Sequence, residues 1–444
     1  MTTLNRRTFL TTTLAAAGAV SLAACNSSSA DPNEGGGATV AFWVPNGPRN
    51  GVIEDHFAGW ASDDGASVEV TAHPSDQMQD TVTLALRSGD GPDMWEGANP
   101  AIFNGGFAAP LDEVLSEENK AAYAAKMPSN ERFMIDGVPY GVPTTANAIR
   151  MAYNKDVFEA AGLDPEAPPA TFSEVRAACE AIAQLEGVYG FGLPMKWGGF
   201  NQWMMDPMIA RTHPNVSQNG QWDHSTGRFE MLNYGPLVEL MREMVTQEWA
   251  YPGASTLEND PMRQAFANGE IGMFISASWD LSVINDQFAT DQNWAVAAAP
   301  YNDGETPVRQ ISNVAGVTCL NAATEDMETA AAAFNEYIGR DLWLTIGQQG
   351  LAFPARTDIT ADEVAEGQAP QFAGYLTTEE DTAWAPSPHQ DMELRGELIG
   401  DLLRRLILGT DNIETELQNL ADQYQETYDQ GVEDGTINPD TYTT

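Results

Sequence analysis

The sequence predicts an α/β fold with a substantial parallel sheet, and three observations carry that expectation. The chain has 444 residues, which fits two domains or one large one. Hydrophobic residues make up 43% and aromatics 9%, enough apolar mass for a packed interior and too much for global disorder. Short apolar, β-branched runs alternate along the chain with segments whose apolar residues recur at helical spacing.

The N-terminus reads as an export signal. Arg6-Arg7 precede an apolar run from Phe9 to Ala24, too short for a bilayer span, which takes about 20 apolar residues. Asn5-Arg6-Arg7-Thr8-Phe9-Leu10 resembles a twin-arginine export motif, and Leu22-Ala23-Ala24-Cys25 resembles a bacterial lipobox. On this reading 1–24 is a signal peptide and Cys25 is lipidated. The Ser-, Asp- and Gly-rich stretch 25–37 is then a flexible tether.

Beyond it, strands are expected at Thr39–Val44, Val68–Ala72, Val138–Val142, Arg150–Tyr153, Ile271–Ile275, Trp294–Ala298 and Val314–Leu320. Thr171 with Glu174 forms a capping box that opens a helix, with Val175, Ala178, Cys179, Ile182 and Leu185 on one stripe. Leu237, Leu240, Met241, Met244 and Val245 mark a second helix, and 330–338 and 394–408 two more. Leu417, Leu420, Ala421, Tyr424 and Tyr428 mark the last. Cys179 on its stripe and Cys319 in its strand both read as buried thiols, although an exported protein could join them as a disulfide.

Charge excludes several functions. Asp plus Glu number 64 against 21 Lys plus Arg, a formal net charge of −43. Such a polyanion repels nucleic-acid phosphates and anionic lipid headgroups. Catalytic signatures are absent: there is no Cys-x-x-Cys, His-Glu-x-x-His or Gly-x-Ser-x-Gly, and no Gly is followed by Lys, which excludes a P-loop. The five His are scattered without ligand spacing, so neither a metal nor another cofactor is implied. Aromatics and amides instead gather at expected strand ends, where open α/β sheets bind ligands. Trp43 with Asn46, Trp95 with Glu96, and Trp279 are such groups, each suited either to stacking on a sugar face or to core packing.

The order of these elements resembles a known family. The export signal and a Trp-bearing strand are followed by Gln77-Met78-Gln79-Asp80, Ser88-Gly89-Asp90-Gly91-Pro92-Asp93, Ala109-Pro110-Leu111-Asp112 and Asp136-Gly137-Val138-Pro139-Tyr140-Gly141-Val142-Pro143. Then come Ala152-Tyr153-Asn154-Lys155-Asp156-Val157-Phe158, Phe266-Ala267-Asn268-Gly269-Glu270-Ile271-Gly272-Met273, Trp279 and Gly350-Leu351-Ala352-Phe353-Pro354-Ala355-Arg356. Over roughly 38–430 this resembles the extracellular solute-binding protein family 1, the substrate-capture lipoproteins of ATP-driven sugar importers related to maltose-binding protein. The resemblance implies two α/β lobes around a ligand cleft, one from 38–146 plus 313–354 and the other from 147–312 plus 355–444. Chain crossings would fall near Asn147, Asn313 and Pro354. It further implies a monomer without cofactor or catalytic residue. Its partners would be a carbohydrate ligand, the permease subunits of an ABC importer, and the membrane through the lipid at Cys25.

Matched by motif, the implied ligand residues are Trp43, Asn46, Gln77, Gln79, Glu96, Asn99, Thr145, Asn147, Trp203, Trp279, Asn313 and Arg356. Several have structural alternatives. Gln77 could cap its helix, Thr145 and Asn147 could serve a hinge, and Arg356 could pair with an acid. Two other functions stay open: an exported carbohydrate-active enzyme using a carboxylate pair, and a binding protein for another solute such as a glycerol phosphodiester or a polyamine. A phosphate ligand would want several cations, and the matched positions offer Arg356.

Overall fold

The computed structural model describes residues 37–60, 65–74, 77–97, 102–103, 105–124, 133–135 and 137–443. Cys25 and Asn99, both named above, lie outside these residues. Among the described residues nine strands form one sheet: β1 (Thr39–Pro45), β2 (Ser67–His73), β3 (Met94–Glu96), β4 (Val142–Asn154), β5 (Tyr189–Phe191), β6 (Ile271–Ala277), β7 (Trp294–Ala297), β8 (Gln310–Leu320) and β9 (Asp381–Thr382). Their order is β2-β1-β3-β8-β4-β6-β5, with β7 also on β4 and β9 on β8. The outer pairs β1/β2, β1/β3 and β6/β5 are parallel. The long central strands β4 and β8 run antiparallel to each other and to β3 and β6. The sheet is therefore mixed, with parallel halves at its two ends.

β4 and β8 join two lobes, each with its own core. Along β4, Ala146 packs with Phe42, Leu320 and Tyr337, whereas Ile149 packs with Phe274, Met241 and Leu406. Along β8, Ile311 belongs to the second of these cores and Leu320 to the first. Against β3 and β8 a smaller cluster gathers Met78, Val82, Leu86, Trp95 and Cys319. Each fully buried Phe or Leu contributes about 1.5–3 kcal/mol by leaving water. A third segment runs beside β4: Ala146 N–H donates to the Phe353 carbonyl at 2.8 Å, and Ala355 N–H to that of Thr144 at 3.0 Å.

Local chemistry explains the helices. Thr171 and Glu174 form the expected reciprocal capping box at the start of Phe172–Ile182, whose buried face is Val175, Ala178, Cys179 and Ile182. The helix Ile413–Glu433 buries Leu417, Leu420, Ala421, Tyr424 and Tyr428, the stripe read from the sequence. Cys179 and Cys319 are both free and buried in separate clusters, so the optional disulfide is not formed; burial pushes both thiols well up from their ordinary range.

One buried ion pair ties the second lobe to the central sheet. Arg150 on β4 donates to both carboxylate oxygens of Asp381 on β9, at 2.9 and 2.8 Å. Both side chains are almost fully enclosed, at 3% and 1% exposure. The same guanidinium also donates to the carbonyls of Gly374 and Leu376, fixing the loop before β9.

Candidate functional site

The two parallel halves aim their strand carboxyl ends at the same stretch of β4. At the end of β3, the Glu96 carboxylate lies 3.5 Å from the Thr144 hydroxyl. At the end of β6, Ser278 N–H donates to the Ala148 carbonyl at 3.1 Å, and its hydroxyl donates to Asn147 Oδ1 at 3.2 Å. Thr144 and Asn147 lie three residues apart on one strand, about 10 Å at 3.3 Å per residue. The ends of both sheets thus flank a single crossing, the position where open α/β sheets place ligands.

In the second lobe the wall is aromatic. Trp279 follows the last residue of β6 in a turn locked by Asp280, whose carboxylate accepts from Ser276 Oγ at 2.8 Å and Ala277 N–H at 2.9 Å. Asp280 is itself paired with Arg263. Trp203 sits on a one-turn π-helix, Phe200–Met205, and a second π-helical turn, Val283–Gln287, follows Trp279 closely. Such turns re-aim side chains and are frequent at functional sites. The two indoles meet edge to face, ring centroids 4.9 Å apart at 82°, and both are half-buried. Trp197, which the sequence reading passed over, joins them. A Cβ on Gly199 would stand 2.5 Å from the Trp197 ring and 2.6 Å from the Trp203 ring, so glycine is what lets the backbone pass between them. The signal was present in the sequence as Trp197-Gly198-Gly199-Phe200.

In the first lobe Trp43 is half-buried at the end of β1, its ring 4.5 Å from that of His73. Asn46 is exposed just beyond, its N–H on the His73 carbonyl at 2.7 Å. Gln77 and Gln79 are exposed around the start of Met78–Ser88, and Gln77 makes no side-chain cap. Gln79 lies beside Gly97, at the end of β3. On the crossing strands Asn147 is half-buried and stands opposite Asn313 in register. Thr145 is buried, bridged to Pro354.

Two expected ligand residues are turned into the protein instead. Arg356 has no side-chain exposure. It donates to both carboxylate oxygens of Asp358 at 2.9 and 2.7 Å, to Asn119 Oδ1 at 2.5 Å and to the Ile338 carbonyl at 2.8 Å, and it lies over the Tyr123 ring. Every guanidinium nitrogen therefore has a protein acceptor, and residues 355–358 are bonded to the first lobe. Glu96 is 1% exposed, paired with Arg49 and accepting from Tyr337 Oη at 2.5 Å. Burial by itself would lower the Arg49 guanidinium; Glu96 and Tyr337 hold it above its ordinary value. Trp95 is wholly buried, donating to the Gly97 carbonyl at 2.8 Å. Asp93, in the Pro-Asp turn, receives the Ala41 N–H at 2.8 Å and the Thr324 hydroxyl, a purely structural role.

The arrangement offers flat rings, carboxamides and hydroxyls, with the nearby arginines neutralised by internal partners. The model for bacterial extracellular solute-binding proteins matches residues 50–383. A Brucella abortus (strain 2308) protein named only provisionally as a binding protein is 27% identical over 278 residues, 62% of this chain and 64% of that protein. The sn-glycerol-3-phosphate-binding periplasmic protein of Agrobacterium fabrum is 24% identical, covering 53% of this chain and 50% of its own length. The matches thus span less than two thirds of these relatives. Among solved structures, an ABC transporter solute-binding protein of Thermotoga lettingae bound with α-D-tagatose superposes with a TM-score of 0.68 at 20% identity, over 88% of this chain and 100% of that one. The cyclic α-maltosyl-1,6-maltose binding protein of Arthrobacter globiformis gives 0.67 at 18%, over 89% and 100%. At these identities the likeness shows the two-lobe fold.

Proposed function

Because the chain belongs to the bacterial extracellular solute-binding protein family, we propose that it captures a neutral mono- or oligosaccharide between its lobes and delivers it to the permease of an ABC importer. The observation that carries this reading is the Trp203–Trp279 pair at the carboxyl end of β6, the strand paired with β4, with Trp43 at the end of β1 in the other lobe. A half-exposed indole stacks on the apolar face of a pyranose, and Asn46, Gln79 and Asn147 supply amides for its hydroxyls. Closure follows if the ligand touches both walls, since a ligand shifts a conformational equilibrium only by its differential contacts. The lobes on this reading are 38–146 plus 313–354, and 147–312 plus the chain beyond 354, with the bonded segment 355–358 transferred to the first lobe.

The chain carries no role of its own in chemistry on this proposal. The N-terminal readings complete it: export through Arg6-Arg7 and anchoring by lipid on Cys25. No described helix is long and apolar enough to cross a membrane. Cys25→Ala should move the protein from the membrane fraction to the soluble one; retention in the membrane would refute the anchor.

Glycerol 3-phosphate is the second reading, favoured by the names of several relatives. Its difficulty is charge, because Arg49 and Arg356 are already paired with Glu96 and Asp358. A thermal-shift and calorimetric panel of maltotriose, raffinose, tagatose and glycerol 3-phosphate separates the two. A bound ligand raises the melting point through RT ln(1 + [L]/Kd), about 4 kcal/mol at a thousandfold excess. Stabilisation by glycerol 3-phosphate alone would overturn the saccharide reading, and cleavage of any sugar would overturn binding without catalysis.

A further inference from the structure

Beside Trp203 the chain holds a strained polar loop that the aromatic wall does not account for. Three successive residues there have positive φ: Asn219 at 58°, Gly220 at 110° and Gln221 at 56°. Two of them are not glycine, and a left-handed conformation costs such residues about 1–2 kcal/mol each. Strain of this kind persists where surrounding bonds enforce it and clusters at functional sites. Here the enforcing group is Asp206, wholly buried at the end of the π-helix. Its carboxylate accepts from Asn219 N–H at 3.0 Å, Gln221 Nε2 at 3.0 Å and Tyr234 Oη at 2.5 Å.

The loop so held presents one acceptor to the π-helix. Asn219 Oδ1 receives Asn201 Nδ2 and Gln202 Nε2, each at 3.1 Å. Asn201 is buried, but Gln202 is half-exposed and adjoins Trp203 in the chain. A carboxamide is planar, so fixing its Nε2 fixes the direction of Oε1. Among the described residues Gln202 Oε1 meets no donor. A protein that needed Asn219 merely to close the loop could use glycine at that left-handed position at lower cost; the side chain matters for what it holds.

We infer that Gln202 is a specificity-determining residue of the site. Asn219 acts as its positioning residue: it holds the carboxamide so that Oε1 accepts a hydrogen bond from a hydroxyl of the saccharide lying on the neighbouring indoles. This rests on the saccharide reading above. It goes beyond stacking, because a ring accepts any flat apolar face whereas an oriented acceptor distinguishes a hydroxyl from its absence.

The test is calorimetric titration with whichever of maltotriose, raffinose and tagatose binds the wild type most tightly. One hydrogen bond is worth about 0.5–1.5 kcal/mol net, so Gln202→Ala and the near-isosteric Gln202→Met should each weaken binding about three- to tenfold. Asn219→Gly, which suits the backbone but removes the acceptor, should weaken it comparably, and the double variant Gln202→Ala with Asn219→Gly should be no worse than Gln202→Ala alone. Asn219→Asp restores the acceptor and should recover most of the loss. Melting temperatures are read beside each titration. Gln202→Ala and Gln202→Met, at a half-exposed position, should melt as wild type. Asn219→Gly also strips buried Asn201 Nδ2 of its acceptor and should melt lower, so its affinity is judged through the double variant. If Gln202→Ala and Gln202→Met bind within twofold of wild type while Trp279→Ala loses more than tenfold, Gln202 is out of the site and the saccharide reading survives. Additive losses in the double variant would refute the positioning role of Asn219. If none of the three sugars binds the wild type, the saccharide reading falls and this inference with it.

Discussion

Replacing Trp279 with Ala separates a ligand platform from a core residue. The structure allows both costs to be worked out. The ring is half-buried and meets Trp203 edge to face at 4.9 Å. Losing that pair removes about 0.5–1.5 kcal/mol beyond its burial. A wholly enclosed indole is different: Trp→Ala in a packed interior costs about 3–5 kcal/mol. Trp222, fully buried with its Nε1 on the Tyr442 carbonyl at 2.7 Å, is the internal standard for that case. The backbone turn beneath Trp279 does not depend on the ring, because Asp280 holds it through Ser276 and Ala277. Trp279→Ala should therefore unfold in urea with a loss well below that of Trp222→Ala. Its saccharide affinity should fall by at least about 2 kcal/mol, the scale of a binding anchor, or more than tenfold in Kd. Paired urea titrations and calorimetry measure the two quantities on the same preparations. Wild-type affinity in a folded Trp279→Ala would remove the ring from the site. A stability loss equal to that of Trp222→Ala would show it to be core, and the reasoning from the strand end would fail.

Three further outcomes test the framework around the site. Burial pushes the Asp206 carboxyl from 3.8 up to about 6, against the lowering effect of its three hydrogen-bond donors; a raised acid destabilises the fold once ionised, so its share of stability is intact below about pH 4 and lost as pH rises through about 6. The urea-derived stability difference between wild type and Asp206→Asn should accordingly shift by about 3 kcal/mol across that window, at 1.36 kcal/mol per pH unit, and a flat difference would contradict it. Asp381→Ala strands Arg150 as an unpaired buried cation and should cost about 3–5 kcal/mol, read as a lowered urea midpoint; a loss under 1 kcal/mol would mean that water reaches the pair. Gly316 on β8 has φ of 61°, and a Cβ there would stand 2.7 Å from the Thr144 hydroxyl, so Gly316→Ala should lower the melting point, and an unchanged one would show that the crossing strand relaxes freely.

Local pattern made much of the fold legible, and long-range pairing hid the rest. β1, β2 and β6 are apolar, β-branched runs bounded by turn residues, and the Thr171–Glu174 box announces its helix within four residues. β3 and β5 have three residues each, too few for any period to register. Of the strand expected at Val138–Val142, Val138 and Pro139 pair with Met134 and Ile135 in a short hairpin, and Val142 alone belongs to β4. Arg150–Tyr153 is only the apolar end of that 13-residue strand, because Pro143, Thr144, Thr145 and Asn147 interrupt its apolar run. The strand continues through them, and Thr144 and Thr145 are buried within the crossing, where Thr144 donates to the Gly316 carbonyl at 2.7 Å. At the site, Trp279 could be placed because it follows a strand. Its contact with Trp203 joins residues 76 positions apart in the chain and leaves no local trace. Glu96 stood at a strand end like a ligand residue, and its partners Arg49 and Tyr337 come from distant segments. For Arg356 the clue was local: Asp358 lies two residues on.

The same accounting bears on what the cleft can bind. A chain with three times as many acids as bases has few cations to give, and the fold spends several of them inside. Arg150, Arg211, Arg263, Arg309 and Arg356 are all buried. Arg309 bonds the carbonyls of Ala210, His213 and Val216 and lies over the Trp384 ring, and burial lowers it to about 10. Arg211 likewise bonds the Ala299 and Arg309 carbonyls. These guanidiniums serve as multi-pronged donors that satisfy loop carbonyls, a task for which five fixed N–H groups suit arginine and a lysine would not serve. With Arg49 tied to Glu96 as well, the described residues at the strand ends that flank the crossing offer rings, amides and hydroxyls. An anionic ligand would have to displace internal acceptors from buried arginines, leaving carboxylates such as Glu96 unpaired in the interior, which costs several kcal/mol for each. On the proposed reading a neutral polyol would need no such exchange, its hydroxyls facing side-chain amides such as Gln202 and its apolar face the indoles. The internal use of arginine thus favours a saccharide over glycerol phosphate, independently of any likeness to other proteins.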